Sequence, residues 1–227
     1  MRAVWLALAV AWALAGVPAQ AQTVSEEQIL VEKAKATVDA FTAQADMSDM
    51  RRLLSKARGV LVFPQILKAS FIVGAEGGSG VLLGRDPKTG SWTAPAFYTM
   101  GAASLGLQAG AEASEVMLLI MNDRALSAVI ANQVKLGADA SIAVGPIGKG
   151  VEASTTTNLH ADIYSFSRAK GLAAGISLEG SVIKSRDERN SAYYGQNFTP
   201  RQIVILRQIE APNALPLQQA LQRAEIN

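Results

Sequence analysis

The residues that could do chemistry are few. His160 is the only histidine and Asp162 stands two positions on, so strand alternation would place both on one face. A carboxylate orienting an imidazole is the start of a nucleophilic arrangement. No G-x-S-x-G elbow supplies the serine, and a solvated or core-satisfied histidine is the default reading. With one histidine and no cysteine, a zinc site would have to be built from carboxylates alone. Glu76, Glu112, Glu115, Asp139, Glu152 and Glu179 fall in or near strand-like runs, and glycoside hydrolysis would need two of them held at a set distance. Nothing in the spacing selects a pair. The glycine-rich stretch GAEGGSGVLLG from Gly74 to Gly84 would cradle a phosphate only if it opened onto a helix. It opens onto a β-prone run with no lysine-serine or lysine-threonine pair, so a tight β-turn is expected there.

Binding chemistry has better candidates. Arg51, Arg52, Lys56 and Arg58 flank Met50, Leu53, Leu54 and Ala57 in a short amphipathic segment. Cations beside an apolar stripe are what a peripheral helix uses to meet anionic lipid head groups. The plain alternative is a surface helix packed through Leu53 and Leu54 with solvated arginines. Arg168 and Lys170, with Ser165 and Ser167 close by, offer two cations and two hydroxyls to an anion or partner. Read plainly, they are a charged hairpin tip. Of Tyr193 and Tyr194, one is expected in the core and one at the surface.

The elements that must position these groups follow from periodicity. Ser25-Glu26-Glu27-Gln28 has the form of a capping box, and Val31, Ala34, Val38, Phe41 and Ala45 recur at helical spacing, predicting a helix from about Glu26 to Gln44. A second, basic helix covers Met50 to Ala57. From Gly59 on, short β-prone runs separated by glycine take over. Asp86-Pro87-Lys88-Thr89-Gly90 is a turn whose flanking runs should pair. One helix interrupts this region, from Arg124 to about Val134, with Asn122 or Asp123 as its cap. Ala140 to Val144, Thr155 to Phe166 and Gly171 to Ile183 read as strands, with bulges or close backbone approach expected at Gly171, Gly175 and Gly180. Helices return at Arg186 to Tyr194, Gln202 to Arg207 and Leu215 to Glu225. This order predicts an α+β fold: a mainly antiparallel, strongly curled or barrel-like sheet with N-terminal amphipathic helices, one inserted helix and C-terminal helices.

Length and composition bound the rest. Arg2, the apolar run Val4 to Val17 and Ala19-Gln20-Ala21 have the form of a secretory signal peptide. Cleavage after Ala21 would leave 206 of the 227 residues, one domain over 22–227 with a helical part at 22–58 and a β-rich part at 59–227. The expected location is periplasmic or secreted. With no cysteine, lipoprotein anchoring is excluded and stability must come from packing. The formal net charge of +2 falls to +1 without Arg2, too small a global field to drive nucleic-acid binding.

Several blocks resemble the SYLF domain, a lipid- and actin-binding module of yeast endocytic proteins with exported bacterial relatives. They are KARGVLVFP (Lys56 to Pro64), KASFIVGAEGGSGVLLGRD (Lys68 to Asp86), SWTAPAFYTMGAASLGLQAGAE (Ser91 to Glu112), LGADASIAVGP (Leu136 to Pro146) and YSFSRAKGLAAGISLEGS (Tyr164 to Ser181), followed by Asn190 and Tyr193-Tyr194-Gly195. The resemblance implies a non-enzymatic module without a cofactor. Its partner would be an anionic phospholipid membrane surface, phosphoinositide in eukaryotic members, or alternatively an actin-like filament or envelope protein. By position it assigns the lipid-contacting segment to the region around Arg51, Arg52, Lys56 and Arg58, with Lys68 close behind; the amphipathic pattern adds Leu53 and Leu54 to that contact, and the residue chemistry keeps Arg168 and Lys170 as secondary contacts. The front of the chain departs from the eukaryotic pattern, carrying the leader and Glu26, Glu27 and Glu32. An envelope protein would meet phosphatidylglycerol, cardiolipin or lipopolysaccharide.

Overall fold

The computed structural model describes residues 24–70, 73–105, 110–145, 161–169, 172–174 and 178–225. Ser25 caps the first helix, α1 (Glu26–Thr42), its hydroxyl accepting the Gln28 amide at 3.1 Å. The reciprocal half of the capping box is not made: the Gln28 side chain donates to Glu32 at 3.1 Å and to the Asn213 carbonyl at 3.3 Å. Val31, Ala34, Val38 and Phe41 are buried, as their spacing predicts. The helix ends two residues before Gln44, and a 3₁₀ turn (Ala45–Met47) leads into α2 (Ser48–Leu54).

Four long strands follow: β1 (Gly59–Ser70), β2 (Val73–Gly84), β3 (Ala96–Leu105) and β4 (Gly110–Ile120). Next come α3 (Asp123–Ile130), β5 (Gln133–Lys135), β6 (Ile142–Val144), β7 (Ile163–Ala169), β8 (Leu172–Ala174) and β9 (Val182–Ser185). The chain closes with α4 (Asp187–Tyr194), a wide helical turn at Arg201–Ile205, a 3₁₀ turn at Pro212–Ala214 and α5 (Leu215–Ala224). The strand order is β5-β9-β3-β2-β1-β4-β7-β6, with β8 on β7. Every pairing is antiparallel except β6 with β7. The expected α+β fold with a mainly antiparallel, strongly curled sheet is the one found. Its terminal strands β5 and β6 are consecutive in sequence, and in the turn between them an isolated bridge pairs Leu136, just after β5, with Ala140, just before β6.

The glycine cluster is not a turn. It is one continuous strand, β2, and its glycines admit neighbouring backbone. A Cβ on Gly78 would lie 2.1 Å from the Gln65 carbonyl oxygen, and one on Gly80 would lie 2.5 Å from that of Val62. Both meet the stretch where β1 changes register between Phe63 and Ile66 around Pro64. The turn after β2 forms as expected: the Asp86 carboxylate accepts the Lys88 and Thr89 amides at 2.7 and 3.1 Å, Gly90 takes φ 73°, and β2 pairs with β3.

Two further boundaries differ from the sequence expectation. The inserted helix stops at Ile130, because Val134 is drawn into β5 opposite Ile183. The stretch 171–183 is not one strand: β8 pairs with β7 while β9 pairs with β3 and β5, and Gly180 at φ 85° makes the turn that enters β9. Gly171, Gly175 and the run 155–160 lie outside the described residues. Near the C-terminus the chain is clasped to the sheet. Glu225 accepts Trp92 Nε1 at 2.9 Å and pairs with Arg85 at 2.8 Å, its side chain only 2% exposed.

Candidate functional site

The basic segment divides into residues that face solvent and residues that hold the fold. Arg51 donates from Nη1 to the carbonyl oxygens of Thr42 and Gln44, both at 3.1 Å. These groups sit at the C-terminal end of α1, where carbonyls lack helical partners and a cation complements the dipole. Met50, Leu54 and Ala57 are fully buried and Leu53 is half-buried against the core. Arg58 pairs with Asp123 at 2.7 Å. Arg52 is exposed and holds Asp49 at 2.5 Å, and Lys56 is exposed. The apolar stripe thus faces inward, and Arg52 and Lys56 are the cations of this segment directed to water.

Lys68 belongs to a different neighbourhood. It lies ten residues along β1 from Arg58, roughly 30 Å at the strand rise. In register it stands between Glu76 of β2 and Glu112 of β4, so two carboxylates flank it on the same face. Arg168 pairs with Glu115 at 3.1 Å, and Glu115 accepts the Thr37 hydroxyl at 3.0 Å, tying β7 through β4 to α1. Ser165 and Ser167 are buried in β7, away from any shared anion site with Arg168. Lys170 lies outside the described residues.

Asp162 is a structural hub. It is buried, accepts Asn122 at 2.8 Å, the Ser141 hydroxyl at 2.7 Å and the Ser141 amide at 3.0 Å, and pairs with Arg124 at 2.6 Å. Burial pushes its carboxyl up, but these four bonds together outweigh burial and hold it well below the usual carboxylate range. His160 lies outside the described residues. The tyrosine expectation of one buried and one exposed ring is corrected, since both are half-buried. Tyr193 lies 5.1 Å from the Phe97 ring and reaches Gln28 Oε1 at 3.3 Å, while Tyr194 donates to the Pro95 carbonyl at 2.5 Å. Burial, with Glu32 adding to it, pushes the Tyr193 phenol up to about 12. Asn190 is fully buried and accepts the Phe97 amide at 2.9 Å, joining α4 to β3.

Sequence reasoning missed the open surface along α1. Two clefts flank the β1 bulge and share Lys33, Pro64 and Gln65. One, of about 380 Å³, is walled by Ile29 and Leu30 of α1 and by Leu67, with Gly77 and Gly78 as floor. The other, of about 460 Å³, runs on past Thr37 to Glu115 and Arg168. Ile29 is 41% and Leu67 55% exposed. Lys33 is exposed with no ion-pair partner among the described residues. The signal was present in α1, where Ile29 and Lys33 fall off the Val31, Ala34, Val38 stripe. Among the described residues, no three His, Cys, Asp or Glu side chains gather as metal ligands would.

Among the described residues, a curled antiparallel sheet is flanked by an N-terminal helix, with open clefts between them. The chain belongs to the family described as Ysc84, Las17-binding protein actin regulator, which matches residues 101–224. It is 36% identical over 146 residues to SH3 domain-containing YSC84-like protein 1 of Xenopus laevis, covering 64% of this chain and 43% of that protein. It is 33% identical over 178 residues to Protein YSC84 of Saccharomyces cerevisiae, covering 77% of this chain and 38% of that protein. LAS seventeen-binding protein 3 of the same yeast species is 34% identical over a stretch of 178 residues. The chain spans less than half the length of these relatives.

Proposed function

We propose that this chain is a non-catalytic binding module whose partner is a protein, exported to the periplasm or secreted. The observation that carries this reading is the distribution of exposed apolar surface. Ile29 and Leu67 face water on either side of one cleft, while the basic α2 segment keeps Met50 and Leu54 in the core. The relatives' names point the same way, since they speak of binding Las17. An actin-like filament or an envelope protein is the partner class that fits.

Peripheral binding to an anionic membrane is the second reading, favoured by the exposure of Arg52 and Lys56. Each cation near such a surface contributes on the order of 1 kcal/mol, so two give about 2 kcal/mol, less than stable anchoring requires. Without an exposed apolar stripe on α2, insertion adds little. The purified chain is therefore to be tested in parallel by co-sedimentation with actin filaments, by cross-linking in envelope extract with partners identified by mass spectrometry, and by flotation with phosphatidylglycerol vesicles. Saturable recovery with a protein partner and weak, salt-sensitive flotation is expected. Tight flotation that Arg52→Glu with Lys56→Glu abolishes, with no protein partner, would replace the first reading by the second. Fractionation of cells producing the full chain tests the location.

A further inference from the structure

We infer that the cleft between α1 and the β1 bulge is a docking groove for a short peptide segment of the protein partner, one carrying a large apolar side chain within two residues of a carboxylate. This rests on the protein-binding reading above and names its site. The apolar half is Ile29, Leu30 and Leu67 around an open floor at Gly77 and Gly78. The polar half is Lys33, which lines both clefts and stands at their junction.

Charge decides the chemistry of the occupant. The other charged groups of the two clefts each lie within ion-pair distance of an opposite charge. Arg189 at one end reaches Glu26 and Glu27 at 3.5 Å each, and Arg168 at the other end reaches Glu115 at 3.1 Å. The charges here balance overall, since Arg189 faces two carboxylates, but Lys33 itself has no carboxylate partner among the described residues, so a single ammonium is left open beside exposed apolar surface. A peptide carboxylate would pair with that ammonium while the neighbouring side chain covers Ile29 and Leu67. Size points to a side-chain anchor rather than a folded domain, because about 380 Å³ lies at the small end of the range for ligand clefts, roughly 300 to 1,000 Å³. The ends of the groove are closed by ion pairs, which suits a short linear segment lying along α1.

The experiment is a selection of random twelve-residue peptides displayed on phage against the purified full chain, followed by fluorescence polarisation with the enriched peptide made synthetically. The enriched peptides should share a bulky apolar residue with Asp or Glu at most two positions away. Lys33→Glu should weaken the selected peptide about tenfold, equal to ~1.4 kcal/mol, and a selection repeated on that variant should favour Lys or Arg in place of the acid. Leu67→Ser should weaken binding without altering the charge preference. Both positions are exposed, and unchanged melting temperatures confirm that the variants fold. The groove is overturned if the selected peptides share no pattern, or if they share one whose binding neither variant changes. A protein partner still cross-linked by both variants would overturn the groove and leave the protein-binding reading standing. Loss of every partner from the wild-type chain would overturn that reading itself.

Discussion

Replacing Arg51 with methionine separates a structural arginine from a membrane-contacting one. The substitution keeps the aliphatic stem and removes a guanidinium that donates to the Thr42 and Gln44 carbonyls, both at 3.1 Å. A hydrogen bond from a charged group contributes roughly 1.5–3 kcal/mol when buried. Arg51 is half-buried, so each bond is worth about half of that, giving together about 2 kcal/mol, including the favourable charge at the C-terminal end of α1. For a domain of this size, 1 kcal/mol corresponds to about 2–4 °C, so the melting temperature should fall by roughly 4–8 °C. Urea and thermal unfolding followed by circular dichroism measure the free energy and the melting temperature, with Arg52→Met as the control, expected to change stability by less than about 0.5 kcal/mol because its ion pair is exposed. If the two variants are equally stable and Arg51→Met alone loses vesicle binding, Arg51 is a contact residue and the capping argument fails.

Other expectations follow from the same contacts. Glu225→Gln should cost about 2 kcal/mol by weakening the pairing with Arg85. It should also shift the emission of Trp92, the one tryptophan left if the leader carrying Trp5 and Trp12 is removed. Gly78→Ala places a methyl 2.1 Å from the Gln65 carbonyl oxygen, a backbone atom that cannot swing aside. A loss of about 2–3 kcal/mol is expected in chemical unfolding, within the overpacking range, whereas Gly101→Ala, with its nearest atom 3.9 Å away, should be tolerated. Because the folded Asp162 carboxyl is held below its unfolded value of about 3.9, its contribution is complete above that value and disappears as pH falls toward the folded one. Stability should therefore begin to fall near pH 5 in the wild type and keep falling as the pH drops below about 3.9, with most of the loss below about pH 3. Asp162→Asn, less stable at pH 7, should show a shallower drop over the same window.

Much of the architecture was legible because local and tertiary preferences agree in it. The α1 stripe, the Asp86 to Gly90 turn and α4 and α5 follow from residues whose propensity and burial point the same way. Legibility failed where a distant partner decides. Val134 suits a helix by spacing, yet Ile183 recruits it into a strand. The glycines of β2 look like a loop until the bulged β1 supplies the backbone they admit. The basic segment shows the same limit at the candidate site. Its composition was correctly amphipathic, but only the placement of α1 decides that Arg51 turns inward. Lys33 and Leu67 come from segments far apart in sequence, and their shared cleft is a product of packing alone.

The curl of the sheet limits how any partner can hold this protein. Its terminal strands β5 and β6 and the side strand β8 are three residues long. Among the described residues, the outer backbone of the long strands is unpaired only at 102–105 of β3 and 110–113 of β4. Among the described residues a foreign strand therefore finds only short ladders to extend, which limits edge-to-edge aggregation of a disulfide-free chain. Among the described residues it also confines main-chain zippering to those short stretches, so that elsewhere a partner is read through side chains.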